Sequence, residues 1–241
     1  CDRRQRQMCI RDRLNISVTA YAKSIGPVEV SPERMDRSEI PNNRFCLPDA
    51  DSAKEAEHYL DQKIAECDSV GGVVECVISG LPAGLGEPVF EKLDANLAKA
   101  ILSIGAVKGF EIGDGFAATK ACGSENNDEF RMDGDKIVKE TNHAGGVLGG
   151  ISDGSDVIFR AAFKPTPSIA KSQETVTKDG ENIDLVIHGR HDPVVVPRAV
   201  VVVESMAAIT AMDMLLMSMT SRLDLIQMFF QVENVDDSPE Q

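Results

Sequence analysis

The sequence predicts a mixed α/β domain, and three observations predict it. Strand-like apolar runs alternate with segments whose apolar residues recur at helical spacing. The 241 residues give room for one large core or two modest ones. A hydrophobic fraction of 42% beside 27% charged residues is an ordinary globular composition. No repeat or linker divides the chain, which reads as a single α/β domain, or part of one.

Taken in order, residues 1–13 (CDRRQRQMCIRDR) carry five arginines against two aspartates and no apolar stretch, and are expected to be a non-native segment. Regular patterning begins at LNISVTAYAKSIG, where Leu14, Ile16 and Val18 alternate as in a half-buried strand. Residues 52–66 read as a helix, with Ser52 as N-cap and Glu55 completing a capping box. Residues 72–80 (GVVECVISG) read as a strand. The loop GLPAGLGEP then leads into a helix expected from about Pro88 to Ile104, its face formed by Phe90, Leu93, Leu97, Ala100, Ile101 and Ile104. Residues 107–116, 156–163 and 182–189 read as further strands and 197–219 as the last long helix. Residues 231–241 read as a disordered acidic tail.

Charge and cysteine usage narrow the function classes. A net charge of −14 argues against a nucleic-acid partner, because phosphate contacts need a basic face. The six cysteines form no CxxC pair or metal-ligand spacing, which favours free thiols in the cytoplasm and no metal. The run from Val195 to Met219 is interrupted by Arg198, Glu204 and Asp213, so a buried helix is expected over a membrane span.

Chemistry is expected where the pattern breaks. In KPTPS (164–168), Pro165 and Pro167 stiffen a loop that offers one cation, Lys164, and two hydroxyls, Thr166 and Ser168. That set suits a phosphorylated ligand; a plain proline turn is the alternative. In HGRHDP (188–193), Arg190 can pair with an anion and Asp192 is a candidate base, unless the segment is an Asp–Pro turn with a local salt bridge. The stretch NHAGGVLGGISDG (142–154) holds five glycines but neither a GxGxxG nor a GK[ST] motif. Either two helices approach closely there, or backbone lines a flat ligand.

Together the strings GLPAGLGEPVFEKLDANLAKAILSIGAVKGFEIGDGF, CGSENNDEF, TNHAGGVLGGISDG, FKPTPSI and GRHDPVVVPRAV resemble the chorismate synthase family, in that family's order. The resemblance covers nearly all of residues 14–230 and makes this span one domain. It implies a sandwich of helices between antiparallel sheets, assembled as a cytoplasmic homotetramer. It also implies a lyase of aromatic amino-acid biosynthesis that converts 5-enolpyruvylshikimate 3-phosphate to chorismate and phosphate with reduced FMN, NADPH being a conceivable reductant. FMN contacts carried over by motif fall on Gly105, Ala106, Gly149, Lys164, Pro165, Thr166, Pro167, Ser168 and Arg190, and proton handling on Asp192. Gly105 stands where the family more usually has asparagine, and Val201 where it has proline.

The family's N-terminal histidine, arginine and arginine–serine motifs have no match, and His58, His143, His188 and His191 sit in other contexts. The chain therefore resembles the C-terminal two-thirds of such an enzyme, and no turnover is expected from it alone. The competing reading is a catalytically incomplete module that binds FMN or phosphate.

Overall fold

The computed structural model describes residues 14–189 and 191–230. Expectations placed on residues 1–13, Arg190 and residues 231–241 lie outside them. The elements run β1 (Ser17–Ile25), β2 (Val28–Glu29), α1 (Ala50–Ala65), β3 (Gly72–Ser79), α2 (Leu93–Leu102), β4 (Val107–Ile112) and the single turn α3 (Gly123–Asn126). There follow β5 (Phe130–Asp133), β6 (Lys136–Lys139), β7 (Val147–Leu148), β8 (Ile151–Ser152) and β9 (Val157–Phe163). The hairpin strands β10 (Gln173–Val176) and β11 (Asn182–Leu185) precede α4 (Val196–Thr220) and α5 (Leu223–Phe230).

An antiparallel sheet in the order β2-β1-β3-β9-β4 organises the chain. Period-two alternation is clearest in β9, where Val157, Phe159, Ala161 and Phe163 are buried and Ile158, Arg160 and Ala162 are not. Register carries that face across the sheet, with Ala20 opposite Cys76, Cys76 opposite Phe159, and Phe159 opposite Ile112. Helix α4 covers β1 and β3, and α2 lies against β4 and α4. In α4 the buried Ala199, Val203, Ala207 and Ala211 recur every fourth position, a stripe of small side chains that lets the helix lie close to the sheet. The opposite face has a polar row, in which Tyr21, Glu75, Arg160 and Glu111 stand in register on successive strands. The Tyr21 hydroxyl donates to Glu75, and Arg160 pairs with Glu111 at 3.2 Å. Burial first, then the Glu75 contact, pushes the Tyr21 phenol up.

Mixed helix and antiparallel sheet make this an α+β fold, as expected, but the buried helix expected from the interrupted run is buried on one face only: nine of the 25 residues of α4 are out of solvent, while Val201, Leu216 and Met219 are exposed. Several boundaries differ. The N-cap of α1 is Asp49, whose Oδ1 accepts from the Asp51 N–H at 3.0 Å, while Ser52 lies inside the helix and donates to Asp49 Oδ2 at 2.6 Å. Helix α2 begins at Leu93 and not near Pro88, so Phe90, expected on its buried face, is 87% exposed. Its first turn has no side-chain cap; the Leu93 N–H donates instead to the Gly150 carbonyl at 2.8 Å. Strand β1 opens at Ser17, and its consecutive Ala20, Tyr21 and Ala22 are all buried because both of its faces are covered there. The strand expected over 182–189 ends at Leu185.

Candidate functional site

Three loops meet at the end of the sheet where β9 finishes. Lys164, directly after β9, donates its N–H to the Ala106 carbonyl at 3.0 Å, which sets Gly105 and Ala106 beside the KPTPS loop. Ala106 itself adopts a left-handed φ of 72° immediately before β4. The Ser69 hydroxyl donates to the Thr166 carbonyl at 2.6 Å, and the Val70 N–H donates to the Pro193 carbonyl at 2.8 Å. Gly71 completes this seam: a Cβ there would stand 2.3 Å from the Phe163 carbonyl oxygen, so the two backbones could not approach with any other residue. Lys164 is exposed, and Thr166 and Ser168 are half-buried. Asp192 lines a cavity of about 340 Å³ at this seam, together with Cys67, Ser69, Ile169, Ala170 and His191.

The Asp192 carboxylate is held from the start of α4. Arg198 Nη1 lies 2.6 Å from Asp192 Oδ2, so the local salt bridge of the Asp–Pro turn alternative is present. His191 bonds through Nε2 to the Ile187 carbonyl at 3.0 Å. Arg190, carried over from the resemblance, lies outside the described residues.

Gly149 sits elsewhere. It and Gly150 are the central residues of the β7–β8 hairpin, with φ of 61° and 91°, as a two-residue turn of type I′ requires. The alternative of two closely approaching helices is therefore corrected, because the glycine stretch is a hairpin and its base. Gly145 and Gly146 are buried against the chain's own backbone, where an added Cβ would stand 2.4 Å from the Gly113 nitrogen and 2.5 Å from the Asp156 carbonyl oxygen respectively. Within residues 142–154, only at the exposed Gly149 would such a Cβ meet nothing within 4 Å. Since the Gly150 carbonyl meets the first residue of α2 and Ala106 follows its end, the ten-residue helix separates the two groups. At about 1.5 Å per residue that is roughly 15 Å. The structure thus gathers Gly105, Ala106, Lys164–Ser168 and Asp192 at one end and leaves Gly149 at the other.

The glycine end is fixed by a buried charge cluster that sequence reasoning did not find. Lys139 Nζ lies 3.2 Å from Asp128 Oδ2 and 2.6 Å from Asp153 Oδ2, the three side chains being 3%, 2% and 6% exposed. Asp128 also accepts from the Thr141 hydroxyl at 2.7 Å and from the His143 and Ala144 N–H groups at 2.7 and 3.0 Å. Burial by itself would raise the Asp128 carboxyl, but these donors outweigh it and hold the group well below the usual carboxylate range. Asp153 is lowered in the same way, with Lys139 and Ser155 overcoming burial. Ser69 and Arg198 were also missed. Ser69 carries no motif, whereas Arg198 stands inside GRHDPVVVPRAV, six residues from its partner.

These features define an α+β protein with a rigid loop of one cation and two hydroxyls next to a clamped carboxylate. A solved structure described as a crystal structure of chorismate synthase superposes with a TM-score of 0.75 at 27% identity, covering 95% of this chain and 65% of that one. The family model for chorismate synthase matches residues 6–216. The chorismate synthase of Lachnoclostridium phytofermentans is 58% identical over 219 residues, which is 90% of this chain and 60% of that protein. That of Agathobacter rectalis is 61% identical over 218 residues, 90% of this chain and 59% of that protein. The chain belongs to the chorismate synthase family. It spans about 60% of the length of these curated relatives.

Proposed function

We propose that this chain forms the flavin-facing part of an enzyme converting 5-enolpyruvylshikimate 3-phosphate to chorismate and phosphate by anti-1,4-elimination. The observation that carries the reading is the meeting of Ala106, the KPTPS loop and Asp192 at one seam, in a chain of this family. The residues suit a phosphorylated flat cofactor. Gly105 and Gly149 both open onto space that a Cβ would not fill, so backbone is accessible to a ring. Lys164 supplies an exposed positive charge, and Thr166 and Ser168 supply hydroxyl donors on a loop stiffened by Pro165 and Pro167. Arg190 joins this set on sequence grounds alone. A separation of roughly 15 Å along α2 calls for an elongated ligand if Gly149 is to share it with Lys164.

In the reaction, the carbon–oxygen bond to phosphate breaks, one ring proton is lost and a double bond forms, without net oxidation. Bound reduced FMN would supply electron density as phosphate leaves. Lys164 would hold anionic oxygens, and Asp192 would handle the proton. The remaining family expectations belong to the same reading: one domain over residues 14–230, a cytoplasmic homotetramer, and a small-molecule substrate without nucleic acid or membrane partners.

The test pairs binding with turnover. FMN is titrated by fluorescence against the chain and against its Lys164→Ala variant, and phosphate release from the substrate is followed anaerobically with reduced FMN. We expect Lys164→Ala to weaken FMN binding about tenfold or more, the scale of a charge-assisted contact. Turnover is expected of the full-length protein and not of these 241 residues alone. An unchanged dissociation constant removes the KPTPS loop from the site. FMN binding without phosphate release by the full-length protein favours the incomplete binding module instead.

A further inference from the structure

We propose that Arg198 is a positioning residue for the reaction, holding the Asp192 carboxylate by one oxygen so that the other is free to take a proton. The inference rests on the functional reading above. The backbone after Asp192 is fixed by the Val70–Pro193 bond and Val70–Val194 bridge, and before it the His191 imidazole is tied to the Ile187 carbonyl. None of these contacts fixes the carboxylate itself, which is 40% exposed. Left alone, an exposed aspartate samples several rotamers, whereas a proton-handling group must stay within hydrogen-bond reach of its target.

Arg198 supplies the missing constraint. Its Nη1 is 2.6 Å from Asp192 Oδ2, and among the described residues Oδ1 accepts no hydrogen bond. The arginine's backbone is fixed in the first turn of α4, between the buried Val196 and Ala199, and its guanidinium reaches back to Asp192. Stability does not explain the pair: Arg198 is 71% exposed, and ion pairs this open contribute little to folding. The geometry divides the carboxylate into a held oxygen and an offered one.

The experiment is a double-mutant cycle in the full-length protein, with single-turnover phosphate release, KM and FMN affinity measured for Arg198→Met, Arg198→Lys, Asp192→Asn and the double variant Arg198→Met with Asp192→Asn. A misplaced catalytic group costs on the order of tenfold to a hundredfold. Arg198→Met is therefore expected to lower turnover on that scale while KM and FMN affinity stay within about threefold of wild type. Arg198→Lys is expected to recover part of the loss, and Arg198→Met to cost nothing more once Asp192 is Asn. Thermal unfolding checks that each variant folds. Full turnover by Arg198→Met, or an equal loss in the Asn background, overturns the inference and leaves the functional reading standing. A harmless Asp192→Asn in an active protein removes both residues from the mechanism. Absence of phosphate release by the wild-type protein defeats the functional reading before any variant is compared.

Discussion

At the glycine end of the sheet, Lys139 lies between Asp128 and Asp153 with all three side chains nearly out of solvent; at the other end, a largely exposed Arg198 meets a half-buried Asp192. The contrast separates two uses of an ion pair. Once charges are buried, each depends on its partners, because removing one leaves another uncompensated in a poorly polarisable surrounding. An exposed pair can be broken at little expense in stability, since water replaces the lost partner. The buried cluster therefore reads as architecture, fixing the turn over residues 141–146 and the hairpin beyond it, while the exposed pair is available for orientation and chemistry.

The most severe way to test this contrast is Lys139→Met. It strands two buried carboxylates, and a loss of about 3–5 kcal/mol in unfolding free energy is expected from denaturant titration. Arg198→Met in the same titration is expected to cost less than about 1 kcal/mol. Equal losses for the two would erase the distinction.

Acidification gives an intermediate effect that sharpens the comparison. The folded-state pKa of Asp128 is depressed, so its contribution is complete above the unfolded carboxylate value of about 3.9. That contribution is lost as pH falls from there through the folded value. Between pH 6 and pH 3 the wild-type unfolding midpoint should thus fall more steeply than that of Asp128→Asn. Parallel slopes would mean that Asp128 is not the group under load.

A small, local effect belongs to the seam itself. Ser69→Ala removes the hydroxyl that bonds the Thr166 carbonyl, for about 1 kcal/mol. Loss of protection at the amides of residues 164–170, measured by hydrogen exchange, should accompany it. Unchanged exchange there would show that the KPTPS loop is held by its prolines alone.

Much of this was legible in the sequence because the forces involved are local. Alternation in Val157–Phe163 and the small apolar stripe of α4 follow from side-chain direction within one element, so they can be read one window at a time. A local salt bridge in the Asp–Pro turn was also open to view as an alternative, although Arg198, six residues from Asp192, was not named as the partner. The chemistry of Lys164, Thr166 and Ser168 is likewise a property of residue type.

What only the tertiary structure decided involves partners distant along the chain. The start of α2 is set by the Gly150 carbonyl, which no reading of residues 88–93 could supply, and hence Phe90 falls outside the helix. Nothing in the sequence of residues 142–154 distinguishes its glycines, yet Gly145 and Gly146 are pressed against backbone from Gly113 and Asp156 while Gly149 faces open space. The Lys139 cluster joins side chains from three separate positions of a polar stretch that gives no apolar signal of burial. Sequence pattern records which face of an element avoids water; it does not record which distant carbonyl or carboxylate will be waiting there, because that is fixed only when the sheet, the helices and the hairpin pack together.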